Sequence, residues 1–313
     1  MALVLLLLDI FTFVELNCEN MFDCVDDSLT QDEEFLPQSY HHWTRTRYWR
    51  KLNRIGQEII SCGADGREWA LPDMVALCEV ENDSVMRDLT RRSLLRKAGY
   101  EYLMTSSPDV RGIDVALLYS PFTFLPVSHY ALRVEPVRGM RPTRDILYVK
   151  GVGRSGDTLH VFVVHAPSRS GGELETRPHR MQVSRRLCQS VDSIRLAEPE
   201  ARILVAGDFN DAAADASLRH LELHGMVHVS AGAQGSHGAR GTYWYRGGWE
   251  SIDHVFCSPR LAAQVKNCRI GDEPFLLTDD GRYGGPKPRR TYIGPRYQDG
   301  FSDHLPLIVT FSF

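Results

Sequence analysis

The sequence has 313 residues, of which 43% are hydrophobic and 24% are charged, as is typical of a folded globular protein with a full core. The formal net charge of −4 excludes a protein that coats nucleic acid by bulk positive charge, but it does not exclude an enzyme that needs cations around one phosphate only. Seven cysteines cannot all pair with one another, and none forms a CxxC motif. We therefore expect no zinc cluster of that kind, and a reducing cytoplasmic location is favoured.

The N-terminal apolar run at residues 3–8 predicts a buried first strand that continues into DIFTFVEL. No basic residue precedes the run, no small-residue cleavage site follows it, and the run is too short to cross a bilayer. The alternative, the remnant of a signal sequence on a secreted or periplasmic protein, stays open at this stage.

Short apolar runs with β character recur along the chain, and most are bounded by Gly, Pro, Asp or Ser, which punctuate strands. The predicted strands are DIFTFVEL, MVALCEV, DVALLY, ILYVKGV, LHVFVVHA, RILVAGDF, SIDHVF and LPLIVTF. Helices are predicted at residues 44–61, 83–97 and 173–197 and in the Ala-rich stretch after Asn210. This order predicts two β-sheets packed face to face with helices outside, in one domain over residues 1–313.

Polar residues stand at the ends of these apolar runs. They are Asn17 in ELNCENMFD, Glu79 in ALCEVEN, His165 in VVHAPSR, Asp208 and Asn210 in VAGDFN, Asp253 in ESIDHVF, and Asp303 with His304 in FSDHLPL. Taken singly, each is a common turn or cap residue, and Asn210 has the alternative role of capping the helix that follows it.

Taken together, these residues point to a shared metal site. Several carboxylates and two imidazoles gathered at strand ends would repel and desolvate one another unless a cation compensated them. Hard oxygen donors are the ligands that Mg²⁺ selects, and Mn²⁺ is its expected substitute. Histidines beside such an ion can transfer protons near neutral pH.

At these residues the sequence resembles the endonuclease/exonuclease/phosphatase family, with GDFN and SDHLP as the most specific motifs. The resemblance runs from Asn17 to Pro306 in the family's motif order, and NCENMFD, RGIDVALLY and PSRSGG look most similar to bacterial members of undefined substrate. It implies a four-layered α/β sandwich of the DNase I-like kind, two mixed sheets flanked by helices, and phosphoester hydrolysis with a divalent metal. Bacterial relatives place Asn directly before the motif histidine, where this chain has Val164.

The resemblance also implies roles for the motif residues. Glu79 and Asn17 would bind Mg²⁺, and Asp303 would complete or support the metal shell. Asp208 and Asn210 would orient the attacking water and contact the phosphate.

The two motif histidines would face the scissile phosphate. His304 would contact it and share a proton network, with Asp253 holding its ring, and His165 would be the second phosphate-facing histidine. Asp114, in RGIDVALLY, occupies the place where similar proteins carry an acid that orients His165. Either Asp208 or His304 would be the base that activates water, and the sequence leaves both open.

Basic residues beside the motifs are candidates for substrate contact. Arg111 and Arg169 lie next to motif strands, where a guanidinium can grip a phosphate with two hydrogen bonds, and the alternative is that both are solvated surface residues. The segment RYGGPKPRRTYIGPRYQDGFSDH interleaves basic and aromatic residues in a long loop. This pattern suits a stacked nucleotide or a polyphosphate, or else a loop that its own tyrosines pack down.

The leading interpretation is a Mg²⁺-dependent phosphodiesterase, nuclease-like, whose partner is a phosphate ester such as nucleic acid. The alternative is a phosphomonoesterase that acts on an inositol or sugar phosphate. A sphingomyelinase-like lipid phosphodiesterase is less favoured, because no hydrophobic hairpin for membrane docking is evident. A non-catalytic binding scaffold is disfavoured, because every ionisable motif position is present.

Overall fold

Two six-stranded β-sheets lie at the centre of the computed structural model, which describes residues 10–63 and 69–313. In spatial order, the first sheet contains β13 (Val265–Ile270), β18 (Leu307–Ser312), β1 (Ile10–Met21), β2 (Met74–Val80), β4 (Asp114–Tyr119) and β3 (Glu101–Met104). The second contains β5 (Phe124–Leu132), β6 (Ile146–Gly153), β7 (Thr158–His165), β8 (Arg202–Asp208), β12 (Asp253–Cys257) and β9 (Val227–His228).

Helices and short hairpins complete the described elements. The helices are α1 (Arg45–Ser61), α2 (Asp83–Arg91), α3 (Glu173–Ala197), α4 (Ala216–Leu223) and α5 (Pro259–Ala262), with 3₁₀ turns at Glu33–Phe35, Leu94–Lys97 and Pro274–Leu276. The hairpins pair β10 (Tyr243–Tyr245) with β11 (Gly248–Glu250), β14 (Leu277–Asp279) with β15 (Pro286–Pro288), and β16 (Tyr292–Ile293) with β17 (Arg296–Tyr297). No helix in residues 10–63 and 69–313 has the length and apolarity needed to cross a bilayer.

Three apolar cores lie between four layers, which are helices α1 and α2, the first sheet, the second sheet, and helices α3 and α4. Successive side chains of a strand point to opposite faces, so Phe11 and Phe13 of β1 pack between the two sheets while Val14 and Leu16 pack under α1 and α2. The third core lies between the second sheet and helices α3 and α4. The predicted sandwich of two mixed sheets flanked by helices is therefore confirmed.

The predicted strands and helices correspond closely to the main observed ones, with some differences. The helix predicted at residues 83–97 breaks at Ser93, whose side-chain oxygen accepts the backbone N–H of Leu95 and starts a separate 3₁₀ turn. Of the strands in the two large sheets, β3, β5, β9 and β13 were not predicted. Strand β5 is largely exposed, so no apolar run indicates it in the sequence. The predicted strand start at residues 3–8 lies outside the described residues.

Glu58 of α1 is fully buried, and both of its carboxylate oxygens lack a hydrogen-bond partner among the described residues. Burial raises its pKa from 4.5 to about 8, although Lys51 opposes this shift. The unfolded chain therefore binds fewer protons than the folded chain between these values, and stability falls as the pH rises.

We expect this one group to lower the free energy of unfolding by about 1.4 kcal/mol per pH unit across that window. Glu58→Gln should remove this slope in urea unfolding experiments on metal-free protein. Glu222→Gln, at an exposed position of α4, is the control and should keep it. Identical slopes in the two variants would contradict the assignment.

Candidate active site

Two parallel strand pairs bring four predicted site residues to one edge of the sandwich. β1 runs parallel to β2, which places Asn17 and Glu79 at the same end of the first sheet. β7 runs parallel to β8, and His165 pairs in register with Asp208 at the end of the second. These ends of the two sheets lie in contact: the Asn17 amide donates a 3.0 Å hydrogen bond to Asp208 across the sheets.

Glu79 occupies an irregular position in its strand. The register between β2 and β4 shifts between Cys78 and Val80, and Glu79 has a φ of +62°. A non-glycine residue in this left-handed conformation costs on the order of 1 kcal/mol, and such bulges re-aim side chains beside active sites. The Glu79 carboxylate accepts the backbone N–H of Asn20 at 2.7 Å and faces the central cavity.

Asn17 holds two carboxylates close together. Its amide nitrogen lies 3.0 Å from Asp208 Oδ2 and 3.4 Å from Glu79 Oε1, and its oxygen accepts the backbone N–H of Glu19 at 2.9 Å. In this arrangement the amide N–H₂ group of Asn17, rather than its oxygen, faces the carboxylates. The predicted ligand therefore acts here as a bridge, because its oxygen satisfies the backbone of its own strand.

Asp208, Asp253 and His304 form the tightest cluster, with one ligand atom from each lying within 4.8 Å of the others. His304 Nδ1 donates to Asp253 Oδ2 at 2.7 Å, as the sequence predicts, and its Nε2 lies 4.0 Å from Asp208. Burial, followed by the charge of Asp253, raises the pKa of Asp208 to about 7. Burial lowers the pKa of His304, but the carboxylates of Asp253, Asp208 and Asp303 outweigh it and hold this pKa well above its usual value.

His165 approaches the same carboxylates but lacks the predicted orienting acid. Its Nε2 lies 3.7 Å from Asp208 Oδ2 and 3.9 Å from Glu79 Oε1. Burial, aided by the positive charge of Arg144, lowers the pKa of His165 well below its usual value, so the ring is neutral.

The predicted contact between Asp114 and His165 is not formed, and this part of the prediction is corrected. The Asp114 carboxylate instead accepts hydrogen bonds from the Thr105 hydroxyl and the backbone of Ser107. His165 Nδ1 is buried without a hydrogen-bond partner among the described residues. The backbone carbonyl of His165 is held by Arg144, which also forms an ion pair with Asp109 at 2.9 Å.

Asp303 reaches the cluster from the loop before β18. One of its oxygens accepts from Arg290 at 2.8 Å, and the other lies 4.0 Å from His304 Nε2. Burial would raise its pKa, but Arg290 and then His304 lower it, so Asp303 stays ionised. Arg290 also contacts Glu19 at 3.1 Å, which ties this loop to the end of β1.

The donor set fits a hard divalent cation. Glu79, Asp208 and Asp303 line one cavity with both motif histidines, and the mutual repulsion of Asp208 and Asp253 is what a cation would relieve. Asp253 Oδ1 is also buried without a partner in the described chain. Oxygen donors without a cysteine ligand suit Mg²⁺ or Mn²⁺ better than a softer metal.

The cavity around this cluster has a volume of about 700 Å³, which is ample for a substrate. Both predicted arginines line it. Arg169 is tied to Glu250 at 3.0 Å and to the carbonyl of Asn210 at 2.8 Å, whereas Arg111 contacts the amide oxygen of Asn20.

Asn210 does not cap the following helix, because α4 begins after Asp215. It has a φ of +52°, its backbone N–H binds Asp208 Oδ1 at 2.8 Å, and its side chain donates to the carbonyl of Ala166 at 3.1 Å. Asn210 thus fixes the Asp208 carboxylate while lining the cavity.

Among the cavity residues that the sequence patterns do not reveal are Arg144, Tyr243 and Tyr245. Arg144 precedes a strand without any motif, and the tyrosines belong to the short hairpin β10–β11, so no local pattern marks them. The Tyr243 ring packs against the His304 ring at a tilt of 41°, with centroids 4.9 Å apart.

The basic and aromatic loop at residues 282–297 packs down mainly on the protein itself. Tyr292 is buried against the core of the first sheet, Tyr297 lies 4.5 Å beneath the Arg47 guanidinium, and Lys287 pairs with Asp280. None of these residues lines the central cavity, which supports the packed-down alternative for the aromatic residues. Arg290 alone connects this loop directly to the site residues described above, through Asp303.

Residues 12–312 match the sequence model of the Endonuclease/Exonuclease/phosphatase family. No curated protein matches the sequence.

Solved structures with similar folds cover nearly the whole chain. A mannosyl-6-phosphatase of Bacteroides thetaiotaomicron has a TM-score of 0.64 at 15% identity, covering 97% of this chain and 100% of the other. Truncated TDP2 of Caenorhabditis elegans has a TM-score of 0.58 at 18% identity, covering 97% and 98%. The catalytic domain of human Nocturnin has a TM-score of 0.58 at 19% identity, covering 97% and 94%. At these identities the likeness establishes the fold, and function has to be argued from the site.

Proposed function

This chain belongs to the endonuclease/exonuclease/phosphatase family, and on that premise we propose that it is a Mg²⁺-dependent phosphodiesterase. The observation that carries the proposal is the convergence of Glu79, Asp208, His165 and His304 in one cavity at the strand ends. Mn²⁺ is the expected substitute for Mg²⁺, because both prefer oxygen donors.

Glu79 and Asp303 are the side chains that would hold the cation, and Asn17 would keep Glu79 and Asp208 in place. When bound, the metal supplies positive charge on the non-bridging phosphate oxygens. The developing charge is also met by His304, whose ring is protonated and held by Asp253. A fixed donor aimed at developing charge is the most effective kind of catalytic group.

Asp208 is the better candidate for the base. With a pKa of about 7, its carboxylate can accept a proton from the attacking water near neutral pH, whereas His304 already carries one. Water attacks phosphorus in line with the leaving oxygen, the bond to that oxygen breaks, and the leaving group takes a proton from solvent. His165, being neutral, offers a hydrogen bond without adding charge.

The charges around the cavity favour a diester over a monoester. Arg144 is paired with Asp109 and Arg169 with Glu250, so their charges are largely compensated. Arg111 forms no ion pair within residues 10–63 and 69–313 and remains the one cavity arginine free to add charge. A diester carries a single negative charge and needs less compensation than a monoester dianion.

A phosphomonoesterase that acts on a sugar phosphate is the second candidate. Tyr245 is 47% exposed on the cavity wall, which Glu250 also lines. A tyrosine ring can stack on a sugar, and a carboxylate can accept hydrogen bonds from its hydroxyl groups. One protein of similar fold is a mannosyl-6-phosphatase.

The two candidates separate in one assay. The purified protein is incubated with Mg²⁺ or Mn²⁺ and, in parallel, with bis-p-nitrophenyl phosphate, p-nitrophenyl phosphate, a panel of sugar phosphates and plasmid DNA. Diester turnover that exceeds monoester turnover, and that chelator abolishes, supports the proposal. Turnover of monoesters alone would replace it with the phosphatase.

Tyr245→Ala tests whether this wall binds the organic part of the ester. Loss of one stacking contact costs about 1.4 kcal/mol, so KM for bis-p-nitrophenyl phosphate should rise about tenfold with kcat nearly unchanged. Tyr283→Ala is the matched control, because Tyr283 is 48% exposed but lies outside the cavity. Equal KM values in the two variants would count against a binding role for Tyr245.

A further inference from the structure

A second cluster of metal-binding side chains lies between helices α3 and α4. Cys188, His220 and His224 each offer one ligand atom, and these atoms all lie within 4.8 Å of one another. Cys188 and Asp192 are four positions apart on α3, and His220 and His224 are four positions apart at the end of α4. Residues at this spacing share one helix face, so the two helices present two pairs of polar groups to each other.

We propose that Cys188, His220 and His224 bind one Zn²⁺ ion, which links α3 to α4. One thiolate and two imidazoles form a softer donor set than the carboxylates of the active site, and zinc prefers such sulfur and nitrogen ligands. None of the three residues lines the active-site cavity, so the two sites are separate.

Asp192 prepares His224 for this role. The Asp192 carboxylate lies 2.7 Å from His224 Nδ1, and a carboxylate oxygen can only accept a hydrogen bond, so Nδ1 carries the proton. Nε2 of the same ring then bears the free lone pair that a metal needs. Metal-bound histidines almost always donate their other ring N–H in this way, which fixes the tautomer and the ring orientation.

The surroundings favour a structural ion over a catalytic one. Cys188 is buried in the core between α3 and the second sheet, and its sulfur lies 3.9 Å from the backbone carbonyl of His220. The two imidazole rings stand 4.5 Å apart at the half-buried rim, where water can supply a fourth ligand. Burial raises the pKa of the Cys188 thiol to about 12, so zinc binding releases a proton and weakens as the pH falls.

Cobalt provides the direct test, because Co²⁺ bound to a thiolate gives a sulfur-to-metal absorption band that oxygen and nitrogen ligands do not. Metal-stripped full-length protein is titrated with Co²⁺ under reducing conditions. We expect one equivalent of Co²⁺ to develop this band in the wild type and Zn²⁺ to displace it. The band should be lost in Cys188→Ala and His224→Ala but kept in Glu79→Gln, which alters only the active site.

Cys268→Ala is the matched control, because this half-buried thiol lies on β13 and belongs to no three-residue group of possible metal ligands among the described residues. A band that is absent from the wild type, or that survives in Cys188→Ala, would overturn the proposal. His224 is partly exposed, so its variant is expected to fold even if the cysteine variant does not.

Thermal unfolding gives a second readout. In the Glu79→Gln background, Zn²⁺ at saturating concentration should raise Tm by several degrees, because a ligand that binds the folded state alone stabilises it. Adding Cys188→Ala or His224→Ala should abolish this shift, and adding Cys268→Ala should not. An equal shift in all four proteins would show that zinc acts elsewhere.

Discussion

Glu79→Gln is expected to reduce kcat for phosphodiester hydrolysis by about 10²–10³-fold and to raise the Mg²⁺ concentration needed for half-maximal activity. The substitution keeps the shape of the side chain but removes its charge at the point where it meets Asn17 and the backbone of Asn20. Steady-state assays across a Mg²⁺ titration measure both effects.

Glu81→Gln provides the control on the same segment. Glu81 is buried, accepts the backbone N–H of Asp23, and has a pKa raised by burial to about 8, so it is already largely protonated at neutral pH. The amide is therefore a close substitute, and activity should stay near that of the wild type. Wild-type turnover and metal requirement in a folded Glu79→Gln protein would refute the metal site.

Asp208→Asn is expected to lower kcat by about 10²–10⁴-fold, because the amide cannot accept the proton of the attacking water. Burial and Asp253 raise the pKa of Asp208 to about 7 without a metal, and a bound cation lowers it. The wild-type rate should therefore rise with pH and reach its plateau at or below neutral pH. The variant should lose this pH-dependent rise, and pH–rate profiles of both proteins measure the difference.

Stability separates this effect from misfolding. Relief of the repulsion with Asp253 should leave metal-free Asp208→Asn at least as resistant to urea as the wild type at pH 8. Asp211→Asn is the converse control, because it removes the partner of the buried Arg180 and should cost about 3 kcal/mol while the folded fraction keeps its turnover. A pH profile in Asp208→Asn that matches the wild type would instead favour His304 as the base.

Much of the fold and half of the residues that line the cavity are predictable from the sequence, because they rest on local patterns. Strands β2, β4 and β8 are continuous apolar runs, and α1 and α3 repeat apolar residues at helical spacing. The position of each strand end sets the position of the polar residue that stands there. Once parallel pairing is assumed, Asn17 and Glu79 are therefore predictable as neighbours in the first sheet, and His165 and Asp208 in the second.

The details of the site depend on contacts between distant parts of the chain. Asn17 and Asp208 are 191 positions apart, and only the packing of two sheets decides which atoms of the amide face the carboxylate. Other contacts join segments that are closer in the chain: Asp114 bonds to Thr105, 9 positions away at the end of the neighbouring strand, and Arg290 bonds to Asp303, 13 positions away. No pattern within one strand carries this information, because a side chain can satisfy its hydrogen bonds with any partner that tertiary structure brings near.

The sequence by itself therefore determined the layers, the family resemblance and the chemistry of the strand ends, since each depends on residues close together in the chain. Tertiary structure alone decided which groups share a proton and which cavity arginine has no ion pair among the described residues. It also decided that Cys188 of one helix meets His220 and His224 of another. The physical reason is that pKa values and metal sites depend on distances of a few ångströms between side chains. Those distances are set when the layers pack.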